Sequence, residues 1–278
     1  MTPTDSPTDS PTDSLLDALW RDYVALTPQA HKIHALLAAR GETVRNDHVA
    51  LRTFAEIGLA ALARPFEALG WRARDRYRFD DKKLRARYWQ HPDPALPKVF
   101  ISELCTDELP PAAQAIVGRL VAQLPAGFTS RDDLPWAGRP WQVARADYDA
   151  LLADSEYAAW VAAFGFHVNH FTVDVRSLTS FADLPAVNAF LTEHGFTLND
   201  AGGAIKGTPA ERLEQSSTRA DSVEVAFADA RARIPSVYYE FARRYPIDGD
   251  RGELFHGFVP ASADKIFEST DVRRTERT

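Results

Sequence analysis

The stretch His48-Val-Ala-Leu-Arg-Thr-Phe54 sets an imidazole and a guanidinium among residues that otherwise build a buried strand. A strand turns alternate side chains to opposite faces, so His48, Ala50 and Arg52 point together while Val49 and Leu51 point the other way. Working outward, a helix rich in Ala and Leu runs to Leu69 and is ended by Gly70. Trp71 to Phe79 and Lys83 to Gln90 then alternate like paired strands around the turn-forming Asp80-Asp81, and Val99-Phe-Ile-Ser-Glu-Leu104 closes the unit. Residues 47–105 therefore read as β-α-β-β-β.

The same order recurs over residues 166–245. There is a strand from Phe166 to Val175, a helix from Phe181 to Glu193 ended by Gly195, and a glycine-containing irregular stretch through Gly207. Strands Ser222 to Ala228 and Ser236 to Arg243 complete it. Two such units, each with an open concave face, can close on each other and leave a pocket to which both contribute ligands. The expected fold class is α+β, two β-α-β-β-β modules forming a pair of half-barrels, with extra helices. These helices fall at 14–46, where Ser14 reads as an N-cap and Leu15, Leu19, Tyr23 and Leu26 share a face, and in a connector at 106–165. Residues 1–13 repeat Pro, Thr, Asp and Ser with nothing to bury and are expected to be disordered. Residues 246–278 form a C-terminal extension.

With 278 residues, 45% of them hydrophobic, the chain has material for a sizeable core. A formal charge of −7 argues against nucleic acid or an anionic membrane as the main partner and leaves a small molecule. Arg72, Arg74, Arg76 and Arg78 recur at period two, but Asp75, Asp80 and Asp81 beside them make this the solvated face of an amphipathic strand. The single cysteine, Cys105, rules out an intramolecular disulfide and a cysteine-based zinc cage, so any metal must take histidine and carboxylate ligands. No segment approaches the ~18 apolar residues of a membrane span, and the N-terminus lacks a basic and apolar leader. The expected location is the cytoplasm.

His48 alone reads most simply as a hydrogen-bonded histidine near a strand start. Arg52 on its face shifts that balance, because a buried guanidinium needs an anionic partner. In Phe166-His-Val-Asn-His-Phe-Thr172 two histidines stand three apart and face opposite sides of a strand. His170 shares its face with Val168 and Thr172, whereas His167 sits at the strand's edge. Glu240 lies at the centre of Ser236-Val-Tyr-Tyr-Glu-Phe-Ala-Arg243. A carboxylate buried there needs a metal or a salt bridge, for which Arg243 and Arg244 are the nearest candidates. Together His48, His170 and Glu240 make two histidines and one carboxylate, the set that leaves positions open on non-haem iron(II). Glu103, on the last strand of the first unit, is a weaker candidate for a fourth ligand or a base. Tyr238 shares the strand face of Glu240. The glycine stretch before Gly207 reads as a mobile lip, with Gln215, Ser216 and Ser217 nearby.

At His48-Val-Ala-Leu-Arg52, Asn169-His-Phe-Thr172, Tyr239-Glu-Phe241, Leu213-Glu-Gln-Ser-Ser217 and Ala263-Asp-Lys-Ile-Phe-Glu-Ser-Thr270, the chain resembles the 2-oxoadipate dioxygenase/decarboxylase family. That family, also called hydroxyglutarate synthases, falls within the vicinal oxygen chelate superfamily. The resemblance implies that His48, His170 and Glu240 bind Fe(2+) and that Arg52 holds a substrate carboxylate. Tyr238, from its place beside Glu240, and Gln215 and Ser216, from theirs beside the lip, are expected as further substrate contacts. The resemblance also implies that the partners are a small 2-oxo acid and O2. The chain looks like a short form lacking the long form's additional C-terminal region, which leaves the choice of 2-oxo acid open. Two other readings stand beside it: a non-redox metal-dependent isomerase or lyase of the glyoxalase type, with Glu103 at work, and a protein that binds a small acid without turnover.

Overall fold

The structure, a computed structural model, describes residues 10–248 and 252–260. The expected disordered tail lies outside the described residues up to position 9. Beyond that the expectation is corrected: α1 (Pro11–Leu26) starts three residues ahead of Ser14, with Ser10 as N-cap accepting from the Asp13 backbone N–H at 3.1 Å and Pro at the first helical position. Its Leu15, Leu19 and Tyr23 are buried, as their spacing predicts. The helix α2 (Pro28–Ala39) follows.

The first unit forms as read: β1 (Asn46–Phe54), α3 (Leu59–Ala68), β2 (Arg72–Phe79), β3 (Leu84–Gln90) and β4 (Lys98–Leu104). Arg72, Arg74, Arg76 and Arg78 are exposed, on the solvated face expected of them. The connector carries α4 (Pro111–Val121), α5 (Arg145–Asp154) and α6 (Glu156–Phe164), which is buried from Tyr157 onward. The second unit is β5 (Val168–Asp174), α7 (Leu184–Glu193), β6 (Lys206–Thr208), β7 (Leu213–Ser217), β8 (Ser222–Ala226), β9 (Arg231–Pro235) and β10 (Glu240–Arg244).

Three readings of this second unit are corrected. The strand expected from Ser236 starts only at Glu240, so Glu240 opens β10 and Tyr238 precedes it. The glycine stretch 202–207 taken for a mobile lip runs into strand β6, which pairs with a further unexpected strand, β7, and the strand at Ser222 pairs only with β9 in a separate two-stranded ribbon. Leu213-Glu-Gln-Ser-Ser217 has no apolar alternation because its inner face serves a polar site, so it carried no strand signal.

Eight strands make one sheet in the order β2-β3-β4-β1-β5-β10-β7-β6. Its halves repeat each other: β1 runs parallel to β4, β5 runs parallel to β10, and the halves join through the antiparallel pair β1–β5. The outer face is covered by α3 over β3 and β4, α1 over β5, and α7 over β7 and β10. Trp20 and Tyr23 of α1 meet Phe171 with ring centroids 5.2 Å away in each case, and the Tyr23 hydroxyl donates to the Tyr238 carbonyl. On the inner face, α6 covers the end of β1, where the Tyr157 hydroxyl donates to the Ser102 carbonyl at 2.7 Å. The segment 254–258 covers the other end and lays Phe258 against Phe100 and Tyr88. Among the described residues, no helix is long and apolar enough to cross a membrane.

Glu42, buried between α2 and β1, ties the N-terminal helices to the turn before α7. Its carboxylate accepts from the backbone N–H groups of Thr179 and Ser180, both at 2.7 Å. Burial raises its pKa, but the hydrogen bonds from Ser180 and Thr179 outweigh this and hold it below the usual carboxylate value. A depressed folded-state pKa contributes stability that is present above the unfolded value of roughly 4.3 and is lost as pH falls through the folded one. Glu42→Gln should therefore cost about 1–2 kcal/mol at pH 7. Denaturant melts taken down to pH 3 should show the two proteins converging, whereas a constant gap would mean that the carboxylate charge plays no part.

Candidate metal centre

The β1–β5 seam builds the centre. Opposite His48 stands Thr172, opposite Ala50 stands His170, and Glu240 on β10 is the parallel partner of Thr172, so three adjacent strands present His48, His170 and Glu240 on one inner face. One ligand atom from each, all within 4.8 Å of one another, converges in a buried space. Glu240 Oε2 lies 3.3 Å from His170 Nε2, and Oε1 lies 3.7 Å from His48 Nε2.

The seam is not regular. Between Asn46 and His48 the register slips by one residue on β1, at Asp47, and between Ala50 and Leu51 it slips on β5, at Asn169. A bulge re-aims the side chain of the extra residue, and here each one is aimed at the ring that follows it. His48 Nδ1 lies 2.8 Å from Asp47 Oδ1, and His170 Nδ1 lies 2.9 Å from Asn169 Oδ1. With each Nδ1–H donated backwards, the two Nε2 lone pairs face Glu240. Burial lowers the pKa of both rings, His170 well below its usual value with His48 and Arg52 adding to the effect, so both are neutral and able to ligate.

The two supports differ in charge. Asp47 is grasped by Arg244, whose Nε and Nη2 donate to its two oxygens at 2.6 and 2.9 Å. Burial alone raises the Asp47 carboxyl, yet Arg244 and Lys98 hold it well below the carboxylate range. The salt bridge considered for Glu240 is thus made by Asp47, and Arg243 turns to the Ala182 carbonyl instead.

Glu240 is fully buried. Gln215 Nε2 donates to Oε1 at 2.6 Å, while Oε2 has no hydrogen-bond partner among the described residues. Burial pushes this carboxyl up to about 8. A buried carboxylate oxygen with no donor, facing two imidazole lone pairs, is a donor set that fits a divalent cation.

Arg52 is buried on the same face, its Nη1 donating to Glu156 Oε1 at 3.2 Å, and its guanidinium stands over the rings of Tyr157 and Trp160. Tyr238 stacks on His170 at 4.7 Å. Gln215 reaches the centre, with its amide committed to Glu240. Ser216 does not reach it, which corrects its reading as a substrate contact: strand parity turns it to the outer face, where its hydroxyl donates to Asn188 of α7 at 2.7 Å.

Glu103 is corrected as well. It pairs with Thr53 and faces outward, accepting from the Leu59 backbone N–H at 3.0 Å and bonded to Arg85 at 2.9 Å. In the second half the residue two beyond His170, Thr172, pairs with Glu240. In the first half the residue two beyond His48, Ala50, pairs with Phe100. The position that repeats Glu240 therefore holds an aromatic ring. His167 bonds Asp22 of α1 at 2.7 Å and stands apart from the triad.

Sequence reasoning missed Asp47, Asn169, Arg244, Phe100 and Phe258. The one available signal was the repeated pairing of a short polar residue with the histidine after it, Asp47-His48 and Asn169-His170. Phe258, whose ring meets His48 edge-on at 4.9 Å, carried none. Loss of a residue that orients a metal-bound histidine costs roughly 10–100-fold in metal affinity. Asp47→Ala should fall in that range by competition with a chromophoric chelator, and Ser216→Ala should match the parent; equal affinities for Asp47→Ala and the parent would remove the orienting role.

The sequence profile of the 2-oxoadipate dioxygenase/decarboxylase family matches residues 14–130 and 136–255. A relative from Oryza sativa subsp. japonica, named 2-oxoadipate dioxygenase/decarboxylase, chloroplastic/amyloplastic, is 34% identical over 284 residues, covering 89% of this chain and 75% of its own. The solved hydroxyglutarate synthase from Oryza sativa, in complex with 2-oxoadipate, superposes with a TM-score of 0.87 at 31% identity and covers 100% of this chain and 98% of that one. A Shewanella frigidimarina protein, described provisionally as a hydrolase, superposes at 0.85 with 48% identity, over 90% of this chain and 98% of that one. With its vicinal-oxygen-chelate-like sheet and its buried His-His-Glu centre, this chain belongs to the 2-oxoadipate dioxygenase/decarboxylase family.

Proposed function

We propose that the protein is an iron(II)-dependent oxygenase that converts 2-oxoadipate and O2 to 2-hydroxyglutarate and CO2. The observation that carries this reading is the three-ligand centre itself: two neutral histidines locked by Asp47 and Asn169, one carboxylate, and Phe100 where a fourth ligand would stand. Iron(II) held there by His48, His170 and Glu240 would pass to O2 the electrons that the 2-oxo acid gives up on decarboxylation and hydroxylation, and would keep positions open for both.

The remaining work falls to the chain. Arg52, a fixed positive charge close enough to depress His170, attracts the carboxylates of the dianionic substrate and sets its orientation, the entropic part of the catalysis. Gln215 holds Glu240 by Oε1 and leaves Oε2 toward the histidines. Tyr238, whose hydroxyl burial and then Glu240 keep protonated, stays a neutral wall and hydrogen-bond donor beside His170. Phe100 and Phe258, 4.8 Å apart, line the His48 side with apolar surface and exclude water.

A glyoxalase-type isomerase would need a fourth ligand or a base on this face, and Glu103 is on the other one. The test is oxygen uptake by anaerobically iron-loaded protein given 2-oxoadipate and its shorter and longer homologues. Uptake should match CO2 release one to one, vanish in His170→Ala, and show a KM raised roughly tenfold or more in Arg52→Gln, the loss of one charge-assisted contact. Turnover with zinc or nickel and no oxygen consumed would favour the isomerase, and binding without product a carrier.

A further inference from the structure

A second charged hollow lies behind the metal centre. Between the starts of β1 and β4 and the ends of β5 and β10 a cavity of about 290 Å³ opens, walled by Arg45, Lys98, Asp174, Arg176, Arg244 and His256, with Asp47 in its floor. Its size is near the lower end of pockets that take small ligands. Lys98, the register partner of His48, is 9% exposed, and among the described residues its ammonium has no hydrogen-bond or ion-pair partner. An ammonium held this way is costly without an anion.

The carboxylates of the wall, Asp47 and Asp174, attract the ammonium through space but neither contacts it. Asp47 is committed to Arg244 and His48, and Asp174 accepts from the Arg176 backbone N–H at 3.0 Å. Four cationic side chains thus face two carboxylates, and the guanidiniums of Arg45 and Arg176 stand exposed at the rim. Burial pulls the Lys98 pKa down, and a bound anion would restore it.

We propose that this cavity is a binding site for a small dianionic oxyanion, a phosphate or a short dicarboxylate, with Lys98 at its base and Arg45 and Arg176 closing over it. The site is independent of the reaction assigned to the triad, and it shares Asp47 with the metal centre.

Calorimetric titration of the full chain with inorganic phosphate and, separately, with glutarate tests this, with ionic strength held constant by chloride. One saturable site is expected for at least one anion, and the tighter of the two identifies the ligand class. Binding should weaken roughly tenfold or more in Lys98→Gln, a lost charge-assisted contact, and measurably in Arg176→Gln, whose exposed position spares the fold. Arg78→Gln, whose side chain bonds Glu108 on the outer face, should bind as the parent does. If neither anion saturates, or if Lys98→Gln and Arg176→Gln both bind like the parent, the proposal is overturned; should Lys98→Gln fail to fold, Arg176→Gln decides alone.

Discussion

The antiparallel pairing of β1 with β5 is the constraint on which the rest of the molecule depends. It is where two half-sheets become one, and its register alone decides that His48 and His170 stand on neighbouring strands with Thr172 between them. Everything else in the centre is placed relative to that seam. Glu240 arrives because β10 runs parallel to β5, Arg52 because it is four residues along β1 from His48, and α6 and the 254–258 segment because the exposed inner face at either end of the seam has to be covered.

The centre carries an unusual burden of buried polarity. His48, His170, Glu240, Arg52, Asp47, Arg244, Asn169 and Gln215 are all buried, and few of them are satisfied by the backbone. They satisfy one another: Arg244 holds Asp47, Asp47 and Asn169 hold the rings, and Gln215 holds Glu240. Such networks are stable only when complete. Of the side-chain atoms left over, which include Asn169 Nδ2 and the Tyr238 hydroxyl, Glu240 Oε2 is the carboxylate oxygen, and there the network calls for a cation. Arg244 extends the same logic outward, since its Nη1 also donates to the carbonyls of Phe255 and Gly257 and so fixes the segment that brings Phe258 onto His48.

The parts of this architecture that the sequence made legible are those that follow from strand parity and apolar spacing. The His48, Ala50 and Arg52 face, the first β-α-β-β-β unit and the preference for His170 over His167 all come from period-two reasoning within one segment. What stayed hidden was long-range or polar. Strand β7 has serine and glutamine where a strand signal needs apolar residues, so Gln215 and Ser216 read as a loop and their opposite facing was lost. Glu103 looked equivalent to Glu240 by its place on a last strand. Only the register shows that Phe100 is the true counterpart, because equivalence between halves is set by distance from the ligand histidine and not from the strand end. The bulges at Asp47 and Asn169 leave only the repeated pairing of a short polar residue with the next histidine as a trace, as they arise from how two strands slide against each other.

Those bulges make the centre more sensitive to the length of its strands than to their composition. A β-strand that loses or gains one residue turns every later side chain to the opposite face. Asp47 and Asn169 are each the supernumerary residue that sets the phase of the histidine beside it. In a diverging lineage the aromatic wall can drift from one bulky side chain to another while the metal ligands stay in place. A single-codon deletion at either bulge would instead carry the imidazole of His48 or His170 through the sheet, so this seam tolerates substitution better than insertion or deletion.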